Sequence, residues 1–489
     1  MSELKGSIDD TDLCELGRIC DEAKAIAPEL EEIGRPIRAL ALRAIASALE
    51  EQRSEVVRTA DAETSLGSER IGSELTRTQY QCRHFADVLD EGSYLEVTID
   101  HSATTVMGVQ PDLRRYLVPI GPVAVFGASN FPLAFSVPGG DTVAAIAAGC
   151  PVVAKAHPSH PLTSQLCADI MATALVNCGL PNSTLQLVAG YAAGQELVKH
   201  AAIKAVAFTG SLAGGKALLE AISKREDPIP FYGELSGINP VVVLPYAAKA
   251  NGATIGHGVA ASGTTSNGQL CTKPQLVYVP SGPDGDRLVD EMGAAFSSLR
   301  PQPFLNERIS ADFVSAVNRI LSDPRVDSPA SISTSDVELG RPTLLSTSCA
   351  DTPPSALAEV FGPLQMVVRY ASPDELIAAL DSLPGSLTAT IHAEPSDKDL
   401  ATTIMKVLRD KAGRFIFNGY PTGVMVAWAQ NHGGPWPAST SNHTSVGATS
   451  IRRFLRPVTY QSAPAWILPA ELQGDHNVPA RLDGTLSLP

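Results

Sequence analysis

The sequence predicts an α/β protein built on parallel sheets and divided into more than one domain. Between residues 121 and 244 short apolar strands alternate with helical stretches across brief connections, the order that yields a parallel sheet covered by helices. After residue 237 a second block of the same kind follows, and 489 residues exceed what a single core organises, so two or more domains are expected.

Composition bounds the class. Hydrophobic residues at 44% and charged residues at 18% describe a globular chain, and a formal net charge of −15 argues against nucleic acid or an anionic membrane surface as a general partner. The polar, acidic N-terminus lacks the features of a signal peptide. The most apolar region, 121–156, is broken by prolines, glycines and charges, so no membrane span is expected. Eight scattered cysteines read as reduced thiols in a cytoplasmic protein.

The first hundred residues carry helical periodicity over 11–27, 36–60 and 69–89, with Arg38, Arg43, Glu50 and Glu51 on the wet side of the second. Strands at 104–109 and 114–118 around a turn at 110–113 read as a β-hairpin arm. Strands follow at 123–126, 151–154, 184–188, 205–208, 229–232 and 240–244, separated by helices at 136–148, 162–177, 193–200 and 212–222. The second block has helices at 251–261, 284–298, 310–321, 373–380 and 397–411, and strands at 275–279, 365–370, 388–391 and 414–417. The stretch 323–354 reads as irregular surface, 431–449 as an ordered loop, 451–461 as a strand and the last twenty residues as a tail.

Several short constellations could carry chemistry. Cys271, behind Gly268-Gln269-Leu270, could be an exposed thiol, and Glu234, after Pro230-Phe231-Tyr232-Gly233, could be its base; nucleophile plus base is the minimal kit for covalent catalysis. Gly210, Ser211 and Gly215 lie where a strand passes into a helix, a place that suits a phosphate, although Ser211 would equally serve as a plain helix cap. Lys155 ends a parallel strand. His157 and His160 are spaced i, i+3, but Pro158 and Pro161 forbid a regular helix and no carboxylate is near, so no metal site is expected. Ser129-Asn130 follows the first strand of the sheet; a loop amide there could donate to an oxyanion or merely shape a turn. Glu359, before Val360-Phe361-Gly362-Pro363, reads alone as a solvated carboxylate.

Taken in order, Ser129–Pro132, Val153–Lys155, Phe208–Ser211 with Gly215, Glu234–Gly237, Gly268–Cys271 and Glu359–Pro363 resemble the motifs of the NAD(P)-dependent aldehyde dehydrogenase superfamily over about 121–457. The resemblance implies an aldehyde dehydrogenase-like fold: a Rossmann-type parallel-sheet cofactor domain (1–102 and 119–237), an α/β catalytic domain (238–452), a β-arm for oligomerisation (103–118 and 453–466) and a C-terminal tail (467–489). It implies Cys271 as nucleophile, Asn130 with the Cys271 backbone N–H as oxyanion donors, and Glu234 as the base for hydrolysis. Lys155 with Ser129, His157 and Ser159, then Gly210, Ser211 and Gly215, and finally Glu359 and Phe361, would hold the cofactor from adenosine to nicotinamide. A homodimer or homotetramer is implied as well.

Many family members carry an acidic residue about three positions beyond the strand-end lysine. Here Ala156-His157-Pro158-Ser159-His160 has none, which predicts that NADP is accepted and preferred, with NAD possible. Stretches 124–140, 157–161, 231–240 and 444–457 are similar to the branch holding the 2,5-dioxopentanoate (α-ketoglutarate semialdehyde) dehydrogenases and the NADP-linked fatty aldehyde dehydrogenase of luminous bacteria. The polar Thr264-Thr265-Ser266-Asn267 tips the expectation toward the dioxo acid, with a fatty or aromatic aldehyde as alternative and a non-catalytic scaffold as the remote one. Arg452, Arg453 and Arg456 are candidates either for the substrate carboxylate or for a subunit contact.

Overall fold

The computed structural model describes residues 6–329, 337, 340–474 and 477–489. Its first sheet is wholly parallel, in the spatial order Leu185–Val188, Val152–Lys155, Val123–Phe126, Ala205–Thr209, Phe231–Glu234. The chain enters at the central strand, adds two strands on one side and then two on the other. The direction of winding therefore reverses beside Val123–Phe126, and the crevice beyond the strands' carboxyl ends there is where such sheets take ligands.

Alternate side chains of the central strand enter opposite cores, as a period of two requires. Val123 and Val125 join Leu42, Leu49, Leu75 and Phe85 from the helices Gly34–Glu51 and Ser68–Glu91. Ala124 and Phe126 join Leu16 and Ile19 of the helix Leu13–Glu32.

The second sheet has six parallel strands, in the order Thr343–Ser348, Leu364–Tyr370, Leu276–Pro280, Val241–Val243, Ser386–His392, Ala412–Phe417. Its inner strands Val241–Val243 and Leu276–Pro280 read as unbroken apolar runs because both faces are covered: Val242, Tyr278 and Val368 pack on one side, Val241, Val277 and Val367 on the other. A third, mixed sheet runs Leu455–Gln461, Leu113–Pro119, Val97–Asp100, Ala480–Leu482, Thr485–Ser487.

Five expectations are corrected. The hairpin pairs Ala103–Thr105 with Gly108–Gln110 about Val106-Met107, while Leu113–Pro119 pairs with Val97–Asp100 and Leu455–Gln461, where Leu117 and Val118 become buried. Arg38 faces inward. Its guanidinium donates to Ala147 O at 3.2 Å and Leu30 O at 3.3 Å, carbonyls in the last turns of two helices, where a cation meets the negative end of the dipole.

The 323–354 stretch, of which 330–336 and 338–339 lie outside the described residues, contains the edge strand Thr343–Ser348 with Leu344 and Leu345 buried. The strand expected from 451 begins at Leu455, after the short 3₁₀ turn Ala448–Phe454. The supposed tail is not free either: Ala480–Leu482 and Thr485–Ser487 form a hairpin on the third sheet. Its turn is Asp483-Gly484, with φ of 48° and 83°, the Asp-Gly dipeptide whose positive φ suits a two-residue hairpin.

Candidate active site

Glu234 ends the last strand of the first sheet, and Cys271 follows the 3₁₀ turn Thr265–Gly268 that leads into the second sheet. The 265–271 loop is held by its backbone. Ser266 and Asn267 have φ of 53° and 54°, Gly268 of 62°. A Cβ on Gly268 would lie 2.3 Å from Gly362 O, so glycine is required by conformation and by close approach together. Asn239, with φ of 52°, donates its side-chain amide to Cys271 O at 2.8 Å and to Lys273 O at 3.1 Å. Its Oδ1 accepts from Thr388 N at 3.1 Å. This clamp on the carbonyl of the nucleophile was missed in the sequence; the left-handed Asn before Pro240 is the signal that could have drawn attention to it.

Asn130 is buried and donates its side-chain amide to Gln269 O at 2.9 Å, two residues before Cys271. Its own carbonyl receives Arg70 Nη2 at 2.6 Å. The structure therefore brings Cys271, Glu234 and Asn130 to one place.

A fourth group stands among them. His432 Nε2 is 2.9 Å from Glu234 Oε1 and 3.7 Å from Cys271 Sγ. It comes from the irregular 431–449 loop, whose conformation is fixed by local bonds: His432 N donates to Thr444 Oγ1 at 2.8 Å, and Ser445 Oγ lies 2.8 Å from Glu234 Oε2. A lone histidine in a Gly/Pro/Ser loop carries no periodicity or motif, and sequence reasoning passed over it.

The electrostatics divide the pair. Burial works against ionising Glu234, but the His432 imidazole and hydrogen bonds from His432, Ser445 and Cys271 outweigh it and hold the carboxyl below its usual range. Burial and then the Glu234 charge push the Cys271 thiol well above its usual range, with Arg414 pulling the other way. The resting site is a thiol beside a carboxylate.

Glu359 and Phe361 lie on a segment held against the nucleophile loop. Lys273, two residues beyond Cys271 and buried, donates to Val360 O at 2.7 Å and Leu364 O at 3.2 Å. Gln275 donates to Ala356 O at 3.0 Å and Ala358 O at 2.7 Å, and accepts from Val360 N at 2.7 Å. Burial lowers Lys273 to about 7 and raises Glu359 to about 7, each charge opposing the other's shift.

Toward the far end of the crevice, Ser211 caps the helix Leu212–Ser223, accepting from Gly214 N at 3.2 Å. A Cβ on Gly215 would meet Leu235 at 2.4 Å, so this helix start is seated directly on the strand bearing Glu234. The open helix N-terminus over the sheet's carboxyl edge fits a dinucleotide's pyrophosphate, with Lys155 and Ser129 at the ends of neighbouring strands.

His157 is lowered well below its usual range by burial, and His160 to about 4. The two imidazoles stack at 5.0 Å and His160 bonds Ala128 O at 3.0 Å. Ser159 Oγ receives Asn306 Nδ2 at 3.1 Å, and Leu305 N donates to Gln269 Oε1 at 2.9 Å. The 305–306 turn thus ties the 157–160 stretch to the loop that precedes Cys271.

Arg452 pairs with Glu96 at 2.5 Å, and Arg453 is buried against Asp141 at 2.7 Å. These two are spoken for. Arg414 is the cation that pulls against the rise of the Cys271 thiol, and Arg77 lies within electrostatic reach of the same sulfur.

The model of the aldehyde dehydrogenase family matches residues 3–459. The chain is 41% identical over 479 residues to α-ketoglutaric semialdehyde dehydrogenase 2 of Azospirillum brasilense, covering 94% of this chain and 88% of that one. It is 40% identical over 443 residues to α-ketoglutaric semialdehyde dehydrogenase of Acinetobacter baylyi, covering 88% and 83%. In fold it resembles an aldehyde dehydrogenase of Physcomitrella patens solved with the reaction product succinate, at a TM-score of 0.78, 19% identity and coverage of 92% and 91%. PnpE solved with nicotinamide adenine dinucleotide gives 0.76 at 21% identity, covering 94% and 91%.

Proposed function

Because this chain belongs to the aldehyde dehydrogenase family and oxidises an aldehyde to a carboxylic acid, we propose that its substrate is a short semialdehyde bearing a carboxylate, 2,5-dioxopentanoate first among them. The two relatives that are 40–41% identical are named for the oxidation of that semialdehyde. The single observation that carries the reading within the site is the pair Arg77 and Arg414. Both clasp the same loop: Arg77 Nε reaches Val424 O at 3.4 Å, and Arg414 donates to Pro421 O at 2.7 Å and Gly423 O at 2.9 Å. Both leave a buried N–H without a partner among the described residues, Nη2 of Arg77 and Nε of Arg414. Both lie close enough to Cys271 that a thiolate there would stabilise their charge. Two half-satisfied guanidiniums beside a nucleophile suit a substrate carboxylate, which arginine binds through paired N–H donors.

In this reading Cys271 Sγ adds to the aldehyde carbon. Its proton passes to Glu234, with His432 bridging acid and thiol. The developing oxyanion takes hydrogen bonds from Asn130 Nδ2 and the Cys271 backbone N–H. A nicotinamide held in the crevice would supply the hydride acceptor, and Cys271 would then carry a thioester. Once Glu234 has released the thiol's proton to solvent, it removes a proton from water, the hydroxide adds to the thioester carbonyl, and the acid departs as the sulfur takes that proton back from Glu234. Glu359 and Phe361 would hold the nicotinamide end, Ser211 with Gly210 and Gly215 the pyrophosphate, and Lys155 with Ser129, His157 and Ser159 the adenosine end.

The test is a comparison of Arg77→Met and Arg414→Met on 2,5-dioxopentanoate and on an uncharged aldehyde of equal length. Loss of a charge-assisted hydrogen bond costs about 1.5–3 kcal/mol, so kcat/KM should fall about ten- to hundredfold on the dioxo acid and little on the neutral aldehyde. An equal fall on both would overturn the carboxylate reading.

NADP preference is part of the same proposal. It is supported by the carboxylate-free stretch 156–160, and opposed by Asp10, whose charge reaches Lys155. Titrating both cofactors against one aldehyde decides it: a clear preference for NAD sinks it. Assembly as a homodimer or homotetramer through the 103–110 hairpin completes the reading.

A further inference from the structure

In the sequence, His157 and His160 are spaced like i, i+3 ligands, and no metal is expected there. A different trio deserves that question. Cys271 Sγ, His432 Nε2 and Glu234 Oε1 come from three separate segments, and their ligand atoms all lie within 4.8 Å of one another. The closest approaches are 3.7 Å between sulfur and imidazole and 2.9 Å between imidazole and carboxylate. A tetrahedral zinc ion with Zn–S of about 2.3 Å and Zn–N and Zn–O of about 2.0–2.1 Å requires ligand atoms roughly 3.3–3.6 Å apart. The trio needs only side-chain adjustments of a few tenths of an ångström to about one ångström to reach that spacing.

We propose that the resting enzyme binds one Zn²⁺ ion on Cys271, His432 and Glu234, and that this ion is a reversible inhibitor that locks away the nucleophile and its base in one step. The donor set selects the metal. Thiolate, imidazole and one carboxylate suit zinc and its soft neighbours, whereas magnesium and calcium demand oxygen ligands. Three protein ligands leave the fourth position to water.

Binding exchanges protons for metal: the Cys271 thiol gives up one proton to solvent as its sulfur bonds to zinc, Glu234 enters as carboxylate and His432 as neutral imidazole. No electron moves, so a chelator reverses it. The nearby guanidiniums of Arg77 and Arg414 oppose a dication, so affinity falls short of a structural zinc site. The inhibition is conditional for the same reason that the site is catalytic: an aldehyde bound as thiohemiacetal or thioester occupies the sulfur and excludes the ion. This inference needs only the trio's geometry and stands whatever the aldehyde is.

The experiment uses the full chain stripped of metal and titrated with Co²⁺, then Zn²⁺. The expected result is one Co²⁺ per chain with a thiolate-to-cobalt band in the near ultraviolet and visible bands of tetrahedral strength. Zn²⁺ should displace them with parallel loss of turnover, and EDTA should restore that turnover. Alkylation of Cys271 by iodoacetamide in otherwise unaltered protein should abolish the band. His432→Asn and Glu234→Gln, checked for native circular dichroism, should each weaken Co²⁺ binding at least about tenfold, since loss even of a group behind a ligand costs that much. Persistence of the band after Cys271→Ser would place the metal on another thiol and overturn the proposal. So would binding unchanged in both His432→Asn and Glu234→Gln, which would mean a thiol acting alone.

Discussion

At the scale of single residues the site is governed by how one negative charge treats its neighbour. Glu234 is ionised in the resting site and raises the Cys271 thiol. A raised acid loses its proton only at higher pH, so the thiolate fraction climbs as pH rises through the alkaline range. In enzyme without cofactor, the rate of iodoacetamide labelling at Cys271 should therefore keep rising beyond the pH where an ordinary thiol levels off. Glu234→Gln removes the nearby charge and should move that rise to lower pH, so labelling at neutral pH becomes faster even as turnover collapses. An unmoved profile would mean that burial alone sets the thiol.

Cys271→Ala should abolish aldehyde oxidation, read as NAD(P)H formation. Asn239→Ala, which frees the carbonyls of Cys271 and Lys273, should lower kcat with little change in cofactor affinity. Cys271, Glu234 and Asn130 were legible because each sits in a short motif, Glu234 at a strand end and the other two in the loops beside the sheets. His432, Asn239, Arg77 and Arg414 were not, since each acts through a contact more than thirty residues away or from a stretch without periodicity.

At the scale of elements, the decisive piece is the strand Leu276–Pro280 and the residues leading into it. Cys271, Lys273 and Gln275 leave the nucleophile loop in turn, and alternate side chains go to one task. Lys273 donates to Val360 O and Leu364 O, and Gln275 donates to Ala356 O and Ala358 O and accepts from Val360 N, all in the 356–364 segment that bears Glu359 and Phe361. Lys273→Met leaves two buried carbonyls short of a donor, a cost of about 1–3 kcal/mol. It should raise KM for the cofactor several-fold or more while the aldehyde KM stays near its original value. A uniform loss of activity with unchanged KM would say that the lysine only supports folding.

The strands and helices of both parallel sheets were readable from apolar runs and helical spacing, because burial on both faces writes itself into the sequence. Thr343–Ser348 was hidden by flanking serines, threonines and prolines. The Asp483-Gly484 hairpin was visible in its dipeptide yet outweighed by its place near the chain's end.

At the scale of the molecule, the third sheet gathers distant parts of the chain: residues 97–119, 455–461 and 480–487 meet in it. From it projects the hairpin Ala103–Gln110, whose tip exposes Val106 and Met107 almost completely. Exposed apolar side chains on a projecting hairpin fit a surface covered by another copy. Val106→Asp with Met107→Asp should shift the chain to a smaller species in sedimentation, with the active-site chemistry retained. If the species is unchanged, the arm is not the contact. Among the described residues no helix is long and apolar enough to cross a membrane.

Gly268 rests on the backbone of Gly362 and Pro363 so closely that not even a methyl group fits between them. Laboratory exchange of parts between related enzymes must respect that contact. A nucleophile loop transplanted from a relative without its matching 359–364 partner would sit on the wrong floor, and so would the reverse graft. The two segments, almost a hundred residues apart, form one unit of inheritance for anyone who would re-engineer this enzyme.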